Sequence, residues 1–79
     1  MSMYARTEIR HRRKDVAMSA REVECLQLAS YGKTSAEIGI ILGISKHTVD
    51  THLKNATRKL DTTGRCHAIA EAIRREVIQ

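Results

Sequence analysis

Polar residues with the chemistry to bind a ligand recur along one side of a predicted helix that spans about residues 46–60. They are spaced by 3, 1, 3 and 4 residues, which places them on one helical face: His47, Asp50, Thr51, Lys54 and Arg58. Such side chains can hydrogen-bond to base edges and to phosphates. The pattern predicts a surface for double-stranded DNA, and the alternative is the solvated outer face of an ordinary helical hairpin.

The opposite side of the same predicted helix is apolar. Its residues are spaced by 4, 3 and 4 and form one inward stripe: Val49, Leu53, Ala56 and Leu60. Ser45 is the expected N-cap, because a serine hydroxyl can accept a hydrogen bond from an unpaired amide of the first turn. This helix is therefore expected to bury its apolar side in the core and to expose its polar side to solvent or a ligand.

A short helix is predicted just before it. Thr34 and Glu37 form a capping-box pattern at its start, and Gly43 suits a left-handed turn at its end. Gly39 is a poor helix residue and predicts the close approach of a neighbouring helix. The expected buried stripe consists of Ile38, Ile41 and Leu42. The succession of helix, glycine turn and helix over about residues 35–54 predicts a helix-turn-helix, whose second helix enters the DNA major groove.

Two further helices complete a predicted all-α, four-helix domain over residues 18–79. The first begins at a capping box formed by Ser19 and Glu22 and is expected to stop at Gly32. The last is predicted over about residues 65–77. Its apolar side is expected to contain Cys66, Ile69, Ile73 and Val77, with Ala68 and Ala72 adjacent.

The chain of 79 residues is basic, with 14 Lys and Arg against 9 Asp and Glu. This balance fits a protein that binds a polyanion. Residues 1–17 carry five basic and two acidic side chains and no sustained apolar stripe, which predicts a flexible basic leader. The leader is either an arm that adds phosphate or minor-groove contacts or an interdomain linker, and we favour the linker.

Composition argues against several other functions. Tyr4 and Tyr31 are the only aromatic residues, so no stacking platform for single-stranded nucleic acid is expected. Cys25 and Cys66 are expected to be buried thiols in a reducing cytoplasm. The spacing of Cys and His fits no zinc site, and neither a metal nor a cofactor is predicted. No apolar run is long enough to span a membrane, and no catalytic cleft is expected, so the protein is predicted not to be an enzyme.

Several separate motifs in the same order make a family resemblance specific, and the likeness covers residues 18–78 without a gap. The sequence resembles the LuxR/FixJ-type helix-turn-helix DNA-binding domain. Within that family it is most similar to the quorum-sensing branch, which senses acyl-homoserine lactones. The motifs are Arg21-Glu22, Gly32-Lys-Thr-Ser-Ala-Glu-Ile38, Leu42-Gly-Ile-Ser45, Thr48-Val-Asp-Thr-His-Leu53 and Arg58-Lys-Leu60. The resemblance implies a transcription regulator that binds inverted-repeat DNA as a dimer.

The resemblance also implies which residues contact DNA. The family's base- and phosphate-contacting positions correspond to Lys46, His47, Asp50, Thr51, Lys54 and Arg58. Lys54 is the preferred candidate for a guanine or phosphate contact, and Thr51 could touch a thymine methyl group. Lys46 and Arg58 are expected at the phosphate backbone. The amides at Thr34 and Ser35 could bind a phosphate, or these residues could serve only as caps.

Asp50 departs from the family pattern, which often has a basic or amide residue there. Its carboxylate could accept a hydrogen bond from cytosine N4, or it could pair with Lys46 or Lys54 at i±4 spacing. The sequence leaves both alternatives open. Gly64 also departs, because the family usually has a polar cap at that position, and this weakens the start of the last helix.

The last helix is the implied dimer contact, and its candidate residues are Ala68, Ile69, Ala72 and Arg75. Family members normally carry a receiver or ligand-sensing domain before this one, and 79 residues leave no space for it. The alternative function is therefore a small antagonist that pairs with a full-length LuxR-type regulator and blocks its DNA binding. An unfavourable carboxylate at Asp50 would suit such an antagonist.

Overall fold

A computed structural model describes residues 17–79 of the chain. The predicted basic leader, residues 1–17, thus lies almost entirely outside the described residues. Within them the chain forms four α-helices, as predicted: α1 (Ala20–Ser30), α2 (Ser35–Leu42), α3 (Lys46–Lys59) and α4 (Arg65–Arg74).

Side-chain caps begin the first three helices. Ser19 and Glu22 form the predicted capping box of α1, with Ser19 Oγ 3.1 Å from the Glu22 amide nitrogen. Thr34 and Glu37 form the same motif at α2, and Ser45 caps α3. Each cap satisfies amides of the first turn that have no partner within the helix, so the sequence fixes where these helices begin. Gly64, in contrast, provides no side-chain cap to α4.

The helices enclose one apolar core, and α3 contributes its complete predicted stripe. Val49, Leu53, Ala56 and Leu60 are all buried. The other helices supply the remaining buried members, which are Cys25, Leu26, Ala29, Ile38, Ala68, Ala72 and Ile78. Helix α3 packs against each of the other three helices. The core thus fixes the rotation of α3, and with it the side that α3 presents to solvent.

Gly39 allows the turn after α2 to close against the helix. A Cβ atom at this position would lie 2.6 Å from the Ile44 carbonyl oxygen, which is closer than any real contact of this kind. The predicted close approach therefore exists: the nearest atom belongs to the turn, and the backbone nitrogen of Lys46, the first residue of α3, would lie 3.4 Å from the added Cβ. Gly43 adopts φ +73°, as the predicted left-handed turn requires.

Two predictions about buried apolar residues were wrong. Ile41 is 52% exposed, whereas the other two members of its predicted stripe reach the core, Ile38 fully buried and Leu42 partly buried. The buried side of α4 also differs from the prediction, since its fully buried residues are Ala68 and Ala72, whereas Ile69 packs against the core only partly buried. Small side chains let α4 pack closely, and the exposed side receives Cys66 and Ile73 instead.

The last turn of the chain also differs from the prediction. Helix α4 ends at Arg74 rather than near Val77, and Glu76 adopts a left-handed conformation with φ +61°. The Val77 amide nitrogen then lies 2.8 Å from the Ala72 carbonyl oxygen, and Ile78 turns back into the core. No helix within residues 17–79 combines the length and apolar character needed to cross a membrane.

Candidate nucleic-acid interface

Helix α3 presents the polar face that its spacing predicted. Lys46, His47, Thr51, Lys54 and Arg58 are all exposed, on the side opposite the buried stripe. Among them, Thr51 donates a hydrogen bond back to the His47 carbonyl oxygen over 3.1 Å, which is a contact within the helix. The face therefore offers three flexible cations and an imidazole to a ligand.

The two candidate residues at the start of α2, Thr34 and Ser35, differ in their exposure to solvent. Thr34 is exposed, and its hydroxyl accepts a hydrogen bond from the Glu37 amide as part of the cap. Ser35 is only 6% exposed, and its hydroxyl is used inside the protein. Ser35 therefore contributes to the positioning of the surface rather than offering a free hydroxyl.

Asp50 is the centre of a polar cluster that joins three helices. The Ser35 hydroxyl donates to Asp50 Oδ1, and Lys46 Nζ donates to Asp50 Oδ2 over 3.0 Å. Arg65 NH2 lies 3.7 Å from Oδ1 and donates to the Ser35 hydroxyl over 2.7 Å. We call Ser35, Lys46, Asp50 and Arg65 the interhelix cluster. Of the two pairings left open by the sequence, the structure contains the one with Lys46.

The hydrogen bonds of the interhelix cluster favour the charged form of the Asp50 carboxyl. The hydrogen bond from Ser35 lowers its pKa most, and the hydrogen bond from Lys46 lowers the pKa further. Asp50 is therefore an anion at neutral pH, with two cations beside it. Its negative charge is more than balanced locally, which reduces its repulsion of a phosphate.

An open groove lies between α3 and α4. It measures about 540 Å³, and three of its lining residues are cations: Lys54, Arg58 and Arg65. Leu53 and Asp50 also line it, and Asp50 belongs to the interhelix cluster. Positive side chains from two helices thus converge on one concave surface, which is a suitable arrangement for a polyanion.

Arg65 is the residue of this surface that the sequence reasoning missed. It was assigned only to the start of the last helix, because it lies outside the face of α3 that carried the DNA prediction. One feature of the sequence could have indicated Arg65: it directly follows the Gly64 break, at the start of a helix that must pack beside α3. That signal places Arg65 near the motif, but it does not indicate which way the side chain points.

The predicted dimer residues on α4 separate into two groups. Ala68 and Ala72 are fully buried against the other helices, so their side chains are not exposed to a second copy. Ile69 is partly buried, and Arg75 donates to Glu71 Oε2 over 2.7 Å. The exposed apolar side chain that the prediction omitted is Ile73, which is 46% exposed.

Fold and surface together define a helix-turn-helix DNA-binding domain, in which α2 braces α3 and α3 presents a basic polar face. The sequence pattern of the family described as "Bacterial regulatory proteins, luxR family" matches residues 16–72. The chain belongs to this family. It is a LuxR-type DNA-binding domain of a transcription regulator.

Individual relatives agree with this assignment. The chain is 43% identical over 70 residues to the transcriptional activator protein LuxR of Aliivibrio fischeri, a match that covers 89% of this chain and 28% of that protein. It is 42% identical over 78 residues to the HTH-type quorum sensing-dependent transcriptional regulator RpaR of Rhodopseudomonas palustris, covering 92% and 32%. The chain thus spans about a third or less of the length of these relatives.

A solved structure has the same fold. The structure of the transcription factor GerE superposes with a TM-score of 0.76 at 35% sequence identity. The match covers 78% of this chain and 92% of that chain.

Proposed function

We propose that this domain reads a specific inverted-repeat DNA site as a pair of copies, each with α3 in the major groove. The observation that carries the proposal is the division of α3 into a fully buried stripe and an exposed face that includes Lys46, Lys54 and Arg58. The similarity to LuxR and RpaR supports a place in the quorum-sensing branch.

Each exposed residue of α3 has a proposed role. Lys54 contacts a guanine or a phosphate, because its amine is exposed beside the groove between α3 and α4. Thr51 contacts a thymine methyl group, and His47 lies one turn earlier on the same face. Lys46 and Arg58 bind the phosphate backbone at either side. The Thr34 amide donates to Glu37 Oε1 over 2.9 Å in the capping box, so no phosphate is assigned to it.

The two copies are proposed to meet through the exposed apolar side of α4. Ile69 and Ile73 replace the buried alanines as the central residues of that contact, with Arg75 at its edge. Their side chains leave apolar surface open to solvent, which a second copy of the same helix could cover. Half-sites about one helical turn apart would then place both α3 helices in successive major grooves.

The antagonist alternative receives less support than the sequence suggested. It depended on a carboxylate that weakens the DNA surface. The Asp50 carboxylate instead lies beside Lys46 and Arg65, so its charge is offset where it would meet DNA. Binding of DNA by the protein alone separates the two functions, since an antagonist requires a partner regulator and little DNA affinity of its own.

A titration tests the proposed function. A duplex enriched from a random-sequence pool by the protein, and a scrambled duplex of the same composition, are each titrated at about 50–200 mM salt. We expect a preference for the enriched duplex that is lost in Lys54→Gln. Lys33→Gln is the matched control, because Lys33 is an exposed lysine outside α3. Equal, salt-sensitive binding to both duplexes would contradict sequence-specific readout.

A further inference from the structure

Arg65 belongs to α4, but its guanidinium contacts residues of both α2 and α3. Its NH2 group donates to the Ser35 hydroxyl over 2.7 Å and lies 3.7 Å from Asp50 Oδ1. Ser35 is almost completely buried, so the point of attachment is rigid. The Arg65 side chain itself is 41% exposed. An arginine held at one nitrogen and open to solvent elsewhere is prepared to bind a second group.

We propose that Arg65 is a phosphate-contacting residue of the DNA interface, and that Ser35 and Asp50 are the positioning residues that orient it. The inference rests on the proposed function and extends its contact surface from α3 to the start of α4. A guanidinium carries five N–H donors, and Arg65 uses only its NH2 group within the part of the chain that the structure describes. The remaining donors suit the oxygens of a phosphate, which arginine often binds through two parallel hydrogen bonds.

The interhelix cluster is not a neutral ion pair, and its net charge favours an anionic ligand. One carboxylate, Asp50, faces two cations, Lys46 and Arg65, so the cluster has a net positive charge. Lys54 and Arg58 line the same groove as Arg65 and add two more positive charges. A phosphate in that groove would meet cations from both α3 and α4.

The hydrogen bonds of Asp50 explain why it orients neighbouring cations and does not itself contact DNA. Oδ1 accepts the Ser35 hydrogen bond and lies beside Arg65, and Oδ2 accepts from Lys46. Both oxygens are thus occupied by protein donors. The carboxylate sets the direction of two cations and leaves contact with DNA to them.

The experiment compares Arg65→Gln with Arg74→Gln on the enriched and scrambled duplexes. Arg74 is the matched control, because it lies at the opposite end of α4 and is 77% exposed. We expect Arg65→Gln to weaken binding to both duplexes about tenfold for each copy bound, since a charge-assisted hydrogen bond is lost. The slope of log affinity against log salt should fall by about 0.9 per copy, while Arg74→Gln leaves affinity and slope nearly unchanged.

The salt slope separates a phosphate contact from a merely structural role, because loosening the attachment of α4 does not by itself change the number of ions released. Equal behaviour of Arg65→Gln and Arg74→Gln, with Lys54→Gln still losing its preference, would overturn this inference and leave the proposed function intact. Failure of the unaltered protein to prefer the enriched duplex would overturn the proposed function, while the salt slope of Arg65→Gln would still test the phosphate contact.

A test from the DNA side decides the matter if Arg65→Gln does not fold. Duplexes with a single uncharged methylphosphonate linkage are titrated with the unaltered protein and with Lys46→Gln, Lys54→Gln and Arg58→Gln. We expect one phosphate whose neutralisation weakens binding by all four proteins, because Arg65 remains as its partner when any single cation of α3 is removed. The inference is wrong if every sensitive phosphate loses its effect in one of the three variants.

Discussion

Lys59 donates hydrogen bonds to both carboxylate oxygens of Glu22, over 2.9 and 3.2 Å, and thereby joins the end of α3 to the start of α1. Glu22 is 5% exposed, and it also accepts a hydrogen bond from the Ser19 amide within the capping box. One buried carboxylate thus begins α1 and attaches it to the helix that carries the DNA-binding face.

Replacement of Glu22 should make the protein less stable in a pH-dependent way. Burial alone raises the pKa of the Glu22 carboxyl, but hydrogen bonds from Lys59 and the Ser19 amide outweigh it, so the pKa lies below that of an ordinary glutamate. Its stabilising effect is therefore complete well above the ordinary pKa of a glutamate and disappears as the pH falls through the lowered pKa of the folded protein. We expect Glu22→Gln to cost about 1–2 kcal/mol at pH 7, measured by urea unfolding.

The control for this measurement is Glu24→Gln, which removes an exposed pair with Arg21 on the same helix. It should change the free energy of unfolding by less than about 0.5 kcal/mol. A difference between the protein and Glu22→Gln that stays constant from pH 7 down to strongly acidic pH would contradict the role given to the carboxylate.

Gly39→Ala should be strongly destabilising. The added Cβ would lie 2.6 Å from the Ile44 carbonyl oxygen, and backbone of the turn has to move to make room. We expect a loss of about 2–4 kcal/mol in thermal or urea unfolding, which is large for a single methyl group. Gly64→Ser is the contrasting variant, because a Cβ there meets no atom within 4 Å and a serine supplies the missing cap of α4. It should gain a few tenths of a kcal/mol.

Asp50→Asn should leave base preference unchanged. An asparagine can still accept the Ser35 hydrogen bond, but it no longer offsets the charges of Lys46 and Arg65. We therefore expect equal or tighter binding to enriched and scrambled duplexes alike, by the same factor. Measurement of affinity for every single-base variant of the enriched site checks this. Loss of a cytosine preference at one position would instead identify Asp50 as a base reader.

Ile73→Asp should prevent pairing of two copies. The substitution places a charge in the middle of the exposed apolar side of α4, and burial of that charge in a dimer is costly. Sedimentation on a two-half-site duplex should then show independent rather than cooperative binding. Ile40→Asp is the matched control, since Ile40 is 82% exposed and lies on α2. The dimer proposal fails if the two variants behave alike.

Glu76→Gly should stabilise the protein. Glu76 adopts φ +61° after α4, a conformation that costs a residue with a Cβ about 1–2 kcal/mol. Glycine removes this cost, but it loses more conformational entropy on folding. We therefore expect a net gain of about 0.5–1 kcal/mol in urea unfolding. Asp61→Gly, at φ +58°, should gain less because a short polar side chain tolerates that conformation. A loss of stability in Glu76→Gly would refute this account.

Local patterns predicted those parts of the fold that depend on neighbouring residues. The caps at Ser19, Thr34 and Ser45 and the stripe of α3 follow from hydrogen bonding and helical spacing within a few residues. The rotation of α4 does not, because its sequence has apolar residues on two sides. Packing distance to α3 selected the small alanines for the core, and that distance is a property of the assembled helices.

In the candidate site, too, local patterns predicted some features and the assembled helices determined others. The exposed face of α3 could be predicted because it is the complement of a buried stripe on one helix. The Ser35, Asp50 and Arg65 contacts join residues that are 15 and 30 positions apart, and no spacing rule connects them. Sequence reasoning therefore found the surface and left the role of Asp50 undecided.

The two cysteines differ in their environments. Cys25 is fully buried, and burial raises the pKa of its thiol, whereas Cys66 lies exposed on α4. Residues 1–16 contain no cysteine, so Cys66 is the single thiol that a mild alkylating reagent can readily reach. A spin label attached there needs no engineered residue. Distances between two such labels on one duplex would report directly how far apart the α4 helices of neighbouring copies lie.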